Sequence, residues 1–291
     1  MDEDKARKRV REGYAKIAKE GLCCTSTTSC CDSSSTHEEL SKKMGYTEEE
    51  LKSIPEKSNL GLGCGNPVAL ASLKKGETVI DLGSGGGIDC FLAAKKVGET
   101  GKVIGVDMTP AMIDKARENA RKGNYRNVEF RLGEIENLPI ADNTADVMIS
   151  NCVINLAPNK KRVFEEAFRT LKPGGRLMVS DIVLLKELPE AFKKRAHPAS
   201  CVQGAMMKDK YLETLEQAGF HDVKIIKETQ YSFEDVADDP NATVIVADKK
   251  KNTEELRSVS ELDKEAREIV KDVLKSTVSI NVSATKPSKK R

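Results

Sequence analysis

Short apolar runs alternate with amphipathic segments through the middle of the chain. Val79-Ile80-Asp81-Leu82 ends in Gly83-Ser84-Gly85-Gly86-Gly87 and is followed by the helix-like Ile88–Val97. Lys102–Asp107 (KVIGVD), Asn127–Leu132 (NVEFRL), Ala145–Ser150 (ADVMIS) and Arg176–Leu185 have the composition of buried strands. Between them, a segment capped by Thr109 with Pro110 at its first position runs to about Lys122. Lys160–Leu171, closed by Lys172-Pro173-Gly174-Gly175, has helical spacing. Strand and helix repeat from Glu77 to Leu185, which predicts right-handed crossovers and a parallel sheet covered by helices on both faces.

The flanks read differently. Asp2–Glu20 places Ala6, Val10, Tyr14 and Ile17 at helical intervals among charges, a helix expected to act as a lid or cap. Cys23-Cys24 and Cys30-Cys31 lie in or beside the Ser/Thr-rich stretch Thr25–Thr36, expected as a loop. Tyr46–Leu51 predicts a short helix with Thr47 as N-cap, and Leu60–Pro67 is too glycine-rich for regular structure. After the repeat, Glu187–Ala199 and Lys208–Ala218 read as helices, and His221–Phe233, Asn241–Ala247 and Thr277–Ala284 each supply a strand. Asn252–Ser276 reads as one charged helix, with Asn252 and Glu255 at capping-box spacing. Lys286–Arg291 reads as a disordered basic tail. The expected units are 1–72 (helix and Cys-rich lid), 73–185 (cofactor-binding core), 186–285 (substrate-binding region with the inserted charged helix 252–276) and 286–291.

The chain has 291 residues, 38% apolar and 32% charged with a net charge of +2, so it can bury a large core but presents no concentrated basic field. Nucleic acid is therefore not an expected partner. With no apolar stretch of spanning length and charges throughout Met1–Arg11, neither a membrane nor a secretory route is expected. The expected location is cytoplasmic, where the eight cysteines are thiols serving packing, metal or catalytic roles.

In an open parallel sheet ligands sit beyond the carboxyl ends of the strands, so Asp81, Asp107, Ile135 and Cys152 should line one crevice. A glycine turn lets backbone approach a bulky ligand, and an acid ending the next strand suits a ribose. The order strand, Asp-Leu-Gly-x-Gly-x-Gly, helix, strand, Asp resembles the S-adenosylmethionine-dependent methyltransferases. The implied fold is the Rossmann-like α/β fold of their class I, a mostly parallel seven-stranded sheet with helices on both faces.

Three cysteines stand apart in loop-like contexts: Cys64 in GLGCGNP, Cys152 in SNCVINL and Cys201 in ASCVQGA. Any one of them alone reads as a small buried hydrophobe, as does Cys90 on the first core helix. No C-x-x-C pair argues for structural zinc, and His197 near Cys201 comes without an acyl-transfer loop. Taken together, the three contexts resemble the arsenite methyltransferases, over about Val10 to Lys250 and again at Ser279–Pro287; the charged segment Asn252–Ser276 departs from that pattern.

The resemblance implies that Cys152, Cys201 and Cys64 bind trivalent arsenic. Its N-terminal partner thiol falls among Cys23, Cys24, Cys30 and Cys31, with Cys24 and Cys31 carried as the catalytic candidates. It puts Asp81, Gly83, Ser84 and Gly85 at the methionine end of the cofactor and Asp107 on the ribose. Met108, Ile135 and Glu136 fall around the adenine, and Asn151 completes the set. Arsenite or its thiol conjugates would be the substrate, methylated by S-adenosylmethionine. Methyl transfer oxidises arsenic by two electrons, so a thiol pair, Cys64 with an N-terminal cysteine, is expected to return them and then be reduced by a thioredoxin- or glutathione-type thiol. Two other readings remain: a methyltransferase of small quinone-type metabolites, which needs no thiols, and a thiol-rich arsenic-binding protein without turnover.

Overall fold

The computed structural model describes residues 3–20, 33–193, 200–233, 243–248, 253–258 and 262–288. Its strands are β1 (Thr78–Leu82), β2 (Lys102–Asp107), β3 (Val128–Leu132), β4 (Ala145–Asn151), β5 (Leu171–Leu184), β6 (His221–Thr229), β7 (Thr243–Asp248), β8 (Thr253–Ser258) and β9 (Thr277–Thr285). Seven of them form one sheet in the order β3-β2-β1-β4-β5-β9-β6; the first five are parallel, and β9 runs antiparallel to both β5 and β6. The expected seven-stranded, mostly parallel α/β sheet is therefore present.

Alternation along the strands feeds two cores, as a sheet covered on both faces requires. Val79, Val103, Val147 and Ile149 pack with Phe91 on one face, while Ile80, Leu82, Ile104 and Met148 pack with Phe164 and Tyr211 on the other. The helices supplying those covers are α5 (Ile88–Val97), α6 (Pro110–Lys122), α7 (Lys160–Thr170) and α9 (Lys208–Gln217). α1 (Glu3–Glu20) lies against α6 through Ala18, Leu60 and Met112, with Tyr14 and Ile17 packed beside them. α2 (Ser33–Lys43), α3 (Glu48–Lys52) and α4 (Pro67–Leu70) lead into β1; α2 takes Ser33–Thr36 out of the stretch expected as a loop, and the expected N-cap Thr47 closes a capping box with Glu50. Among the described residues no helix is long and apolar enough to cross a membrane.

The strand order reverses between β1 and β4, where Leu82 is level with Ser150. The loops that follow these strands therefore open beside each other, which makes this the ligand crevice of the sheet.

Four further expectations need correction. Asn252–Ser276 is not one helix: Thr253–Ser258 is β8, paired antiparallel with β7, and α10 spans only Lys264–Ser276. The β-rich Thr243–Asp248 offers β8 a complete ladder, and the N-cap is Asp263, whose side chain accepts from the Ala266 amide; Asn252 lies outside the described residues. Lys172–Gly175 does not close α7 as a turn but belongs to β5, held there by the Lys172 ammonium on Asp146 at 2.8 Å and by paired backbone bonds of Gly174 and Gly175 with Lys286. Lys286 is accordingly no free tail residue: its ammonium also donates to the Phe168 and Leu171 carbonyls. Within Glu187–Ala199 only α8 (Glu190–Lys193) is helical among the described residues.

Candidate active site

The glycine loop leaves β1 with Gly83 at φ +69° and its amide on the Val106 carbonyl at 2.8 Å. A Cβ at Gly83 would stand 2.4 Å from Val153 Cγ2, whereas one at Gly85 (φ +50°) would meet no atom within 4 Å. The loop is thus packed on its inner side and open above Gly85. Asp107, at the end of β2, accepts from the Gly85 amide at 3.0 Å and the Thr109 amide at 2.8 Å, fixing the loop to the neighbouring strand. Asp81 is buried and accepts from the Cys90 thiol at 3.2 Å; burial, then the nearby Asp89, hold its carboxyl well above the usual range. Cys90 has the buried place expected of it.

Above the loop lies a cavity of about 290 Å³. Asp81, Gly83, Ser84, Gly85, Asp107, Met108, Ile135, Glu136 and Asn151 all line it, and so do Cys152 and Cys201. α1 lines it with Val10 and Tyr14 and is pinned by Arg7, whose guanidinium donates to Glu136 at 3.1 Å and stands 3.5 Å from Glu134. The buried Ser84 hydroxyl has no protein partner. An open cradle over Gly85, that orphaned hydroxyl, two acids and the apolar Met108 and Ile135 fit a nucleoside-type sulfonium donor such as S-adenosylmethionine.

The thiol end is built on the loops after β4 and before α4. Cys64 and Cys152 are joined in a disulfide with their Cα atoms 5.6 Å apart. The glycine loop brings Cys64 directly over the end of β4; its expected N-terminal partners, Cys23, Cys24, Cys30 and Cys31, lie outside the described residues. Asn151 makes the approach: its Oδ1 accepts from the Cys64 amide and its Nδ2 donates to the Gly65 carbonyl, both at 2.8 Å. The same Nδ2 reaches Tyr46 and Asp89, and the Tyr46 hydroxyl donates to Asp89 at 2.7 Å. Cys152 takes φ +58° with its amide on the Ser180 carbonyl, and the Ser279 hydroxyl donates to the Cys64 carbonyl. Partly buried Cys201 is a free thiol, pushed up to about 12 by burial and by Asp181.

Residues 73–219, about half of the chain, match the model of a family described as a methyltransferase domain. The chain belongs to the methyltransferase domain family. This methyltransferase is 49% identical over 232 residues to an arsenite methyltransferase of Halobacterium salinarum, covering 77% of this chain and 59% of that one. It is 36% identical over 236 residues to an arsenite methyltransferase of Aquipseudomonas alcaligenes, covering 78% and 66%. The chain thus spans 59% to 66% of the length of these curated relatives. Among solved structures it resembles an arsenic(III) S-adenosylmethionine methyltransferase from Chlamydomonas reinhardtii, with a TM-score of 0.60 and 29% identity over 86% of this chain and 74% of that one.

Sequence reasoning passed over four residues that shape the methyltransferase site. Asp181 is fully buried in β5, beside Cys64 and Cys152, and burial pushes its carboxyl up to about 7. Its signal was an acid inside the apolar run Val179-Ser180-Asp181-Ile182-Val183. Arg7 sat among many other charges and carried no such signal, and Asp89 is an acid in the first turn of α5, where acids are commonplace. Tyr14 was read only as part of an apolar helix face, yet it lines the cavity.

Proposed function

We propose that this methyltransferase methylates trivalent arsenic, taking arsenite or its thiol conjugates as substrate. The observation that carries the reading is that Cys152 and Cys201 line the same cavity as Asp107, Met108 and the Gly83–Gly85 loop, with Cys64 bonded to Cys152. The arsenic chemistry of its relatives supports it.

Soft trivalent arsenic prefers thiolates to oxygen donors. Cys64, Cys152 and Cys201 in reduced form would hold it as a pyramid, leaving its lone pair free toward the cofactor end of the cavity. S-adenosylmethionine, when bound, supplies a methyl group already activated on a sulfonium, so the chain's task is position and water exclusion. Asp81, Ser84 and Gly85 would hold the methionine end, Asp107 the ribose, and Met108, Ile135 and Glu136 the base, while Val10 and Tyr14 cover the chamber. The transfer raises arsenic from the trivalent to the pentavalent state; closure of two thiolates to a disulfide returns two electrons. Cys64 and Cys152 are the pair in register for this, with Cys24 or Cys31 as relay, and a thioredoxin- or glutathione-type thiol would reopen them. The unit 73–185 would then bind the cofactor, with residues 1–72 and 186–285 adding lid and substrate thiols.

Incubation of reduced protein with arsenite, S-adenosylmethionine and a thiol reductant, followed by chromatographic separation of arsenic species, tests the proposal. Methylated arsenic that depends on both Cys152 and Cys201 supports it; arsenite bound without turnover would instead indicate sequestration.

A further inference from the structure

The Sγ atoms of Cys64 and Cys152 and a carboxylate oxygen of Asp181 all lie within 4.8 Å of one another. An arsenic trithiolate has no use for that carboxylate, because three thiolates already neutralise trivalent arsenic. A divalent cation does. We propose that, in the reduced protein, Cys64, Cys152 and Asp181 form a site for a borderline-soft divalent cation, Zn²⁺ or Cd²⁺, that competes with the substrate for two of its thiols.

Ligands of a tetrahedral cation bonded at about 2.0–2.3 Å stand roughly 3.3–3.8 Å apart; the two sulfurs, bonded to each other here, would part to that separation once reduced, and the Asp181 oxygen already lies within 4.8 Å of both. Asp181 is held as a ligand should be. Its Oδ1 accepts from Asn155 Nδ2 at 2.7 Å and from the Ile182 amide at 3.0 Å, and its Oδ2 accepts from the Tyr211 hydroxyl at 3.2 Å. Each carboxylate oxygen offers two lone-pair sites, so Oδ2 keeps one to give. Cys152 lines the cavity, which supplies an entry path and an open fourth position. Loading needs the disulfide opened: a dithiol gives two electrons and two protons, becoming a disulfide itself, and the cation then displaces the two thiol protons. Two thiolates and one carboxylate suit zinc or cadmium better than a hard ion such as magnesium.

The test uses the full chain with Cys23, Cys24, Cys30 and Cys31 changed to serine, reduced and titrated with Cd²⁺ under anaerobic conditions. The expected result is one cadmium per chain, with two sulfur neighbours and a lighter oxygen shell by X-ray absorption, and affinity falling about tenfold or more in Asp181→Asn. Asp209→Asn, on the exposed face of α9, should leave it unchanged. Equal affinity in Asp181→Asn, or three sulfurs with one of them lost in Cys201→Ser, would overturn the proposal. If Asp181→Asn fails to bind S-adenosylmethionine and so has lost its fold, the sulfur count in the parent protein decides alone. The site does not rest on arsenic methylation, and cadmium binding is read without turnover.

Discussion

The side-chain amide of Asn151 grips Cys64 and Gly65 as a neighbouring strand would, accepting from one amide and donating to the next carbonyl, both at 2.8 Å. Gly63 permits this, since a Cβ there would stand 2.8 Å from Asn151 Nδ2. The grip fixes the thiol of Cys64 beside that of Cys152, the next residue along from Asn151.

Asn151→Ala should therefore act on the thiol pair as well as on stability. It leaves a buried amide and a carbonyl without partners, at a cost of about 1–3 kcal/mol. Thermal melting should drop by several degrees, and thiol trapping should show slower Cys64–Cys152 closure. An unchanged closure rate would remove the positioning role.

The glycine loop predicts a contrast. Gly83→Ala drives a Cβ into Val153 and should destabilise the fold measurably. Gly85→Ala meets no protein atom, so its fold should suffer only the strain of φ +50° while S-adenosylmethionine affinity falls by roughly tenfold, about 1.4 kcal/mol. Calorimetry of both variants separates the two effects; equal loss of affinity with equal loss of stability would contradict the assignment.

Arg7 ties α1 to the loop after β3. It pairs with Glu136, which is only 7% exposed, so Arg7→Ala should strand that carboxylate and loosen α1. The expected result is weaker cofactor binding, by several-fold in titration calorimetry, with arsenite binding to the thiols retained. A variant with unaltered cofactor affinity would show that α1 is not the lid.

Acid titration offers a further check. Burial raises Asp181 to about 7 and Asp89 to about 6, against roughly 3.9 for an unfolded aspartate. Between about pH 4 and 7 the native state keeps protons that the unfolded chain has released, so stability should fall as pH rises through this window and level off above it. Urea unfolding of Asp181→Asn should show a flatter profile in the upper half of the window. Stability that rises from pH 4 to 7 in the parent protein would contradict the burial account.

The core of the fold was legible because each strand ended in chemistry as well as in turn signals. Asp81 and Asp107 closed apolar runs, and their loops had to meet at the reversal of strand order; the nine positions expected to meet the cofactor line one cavity for that reason. The C-terminal part was less legible. Leu256 and Leu262 share helical spacing with α10, but the tertiary choice of a ladder with Thr243–Asp248 overrode it for Thr253–Ser258. The bond from Cys64 to Cys152 was hidden for a different reason: 88 positions separate the two, and side-chain bonds to backbone, the Asn151 grip and the Ser279 hydroxyl on the Cys64 carbonyl, help bring them together. Spacing patterns carry no record of such bonds.

The most direct measurement is the arsenic product itself. Reduced protein, arsenite, S-adenosylmethionine and a thiol reductant should yield methylated arsenic, with no product from Cys152→Ser or Cys201→Ser although both variants still bind S-adenosylmethionine. Methylated arsenic formed at the parent rate by both variants would contradict the thiolate site.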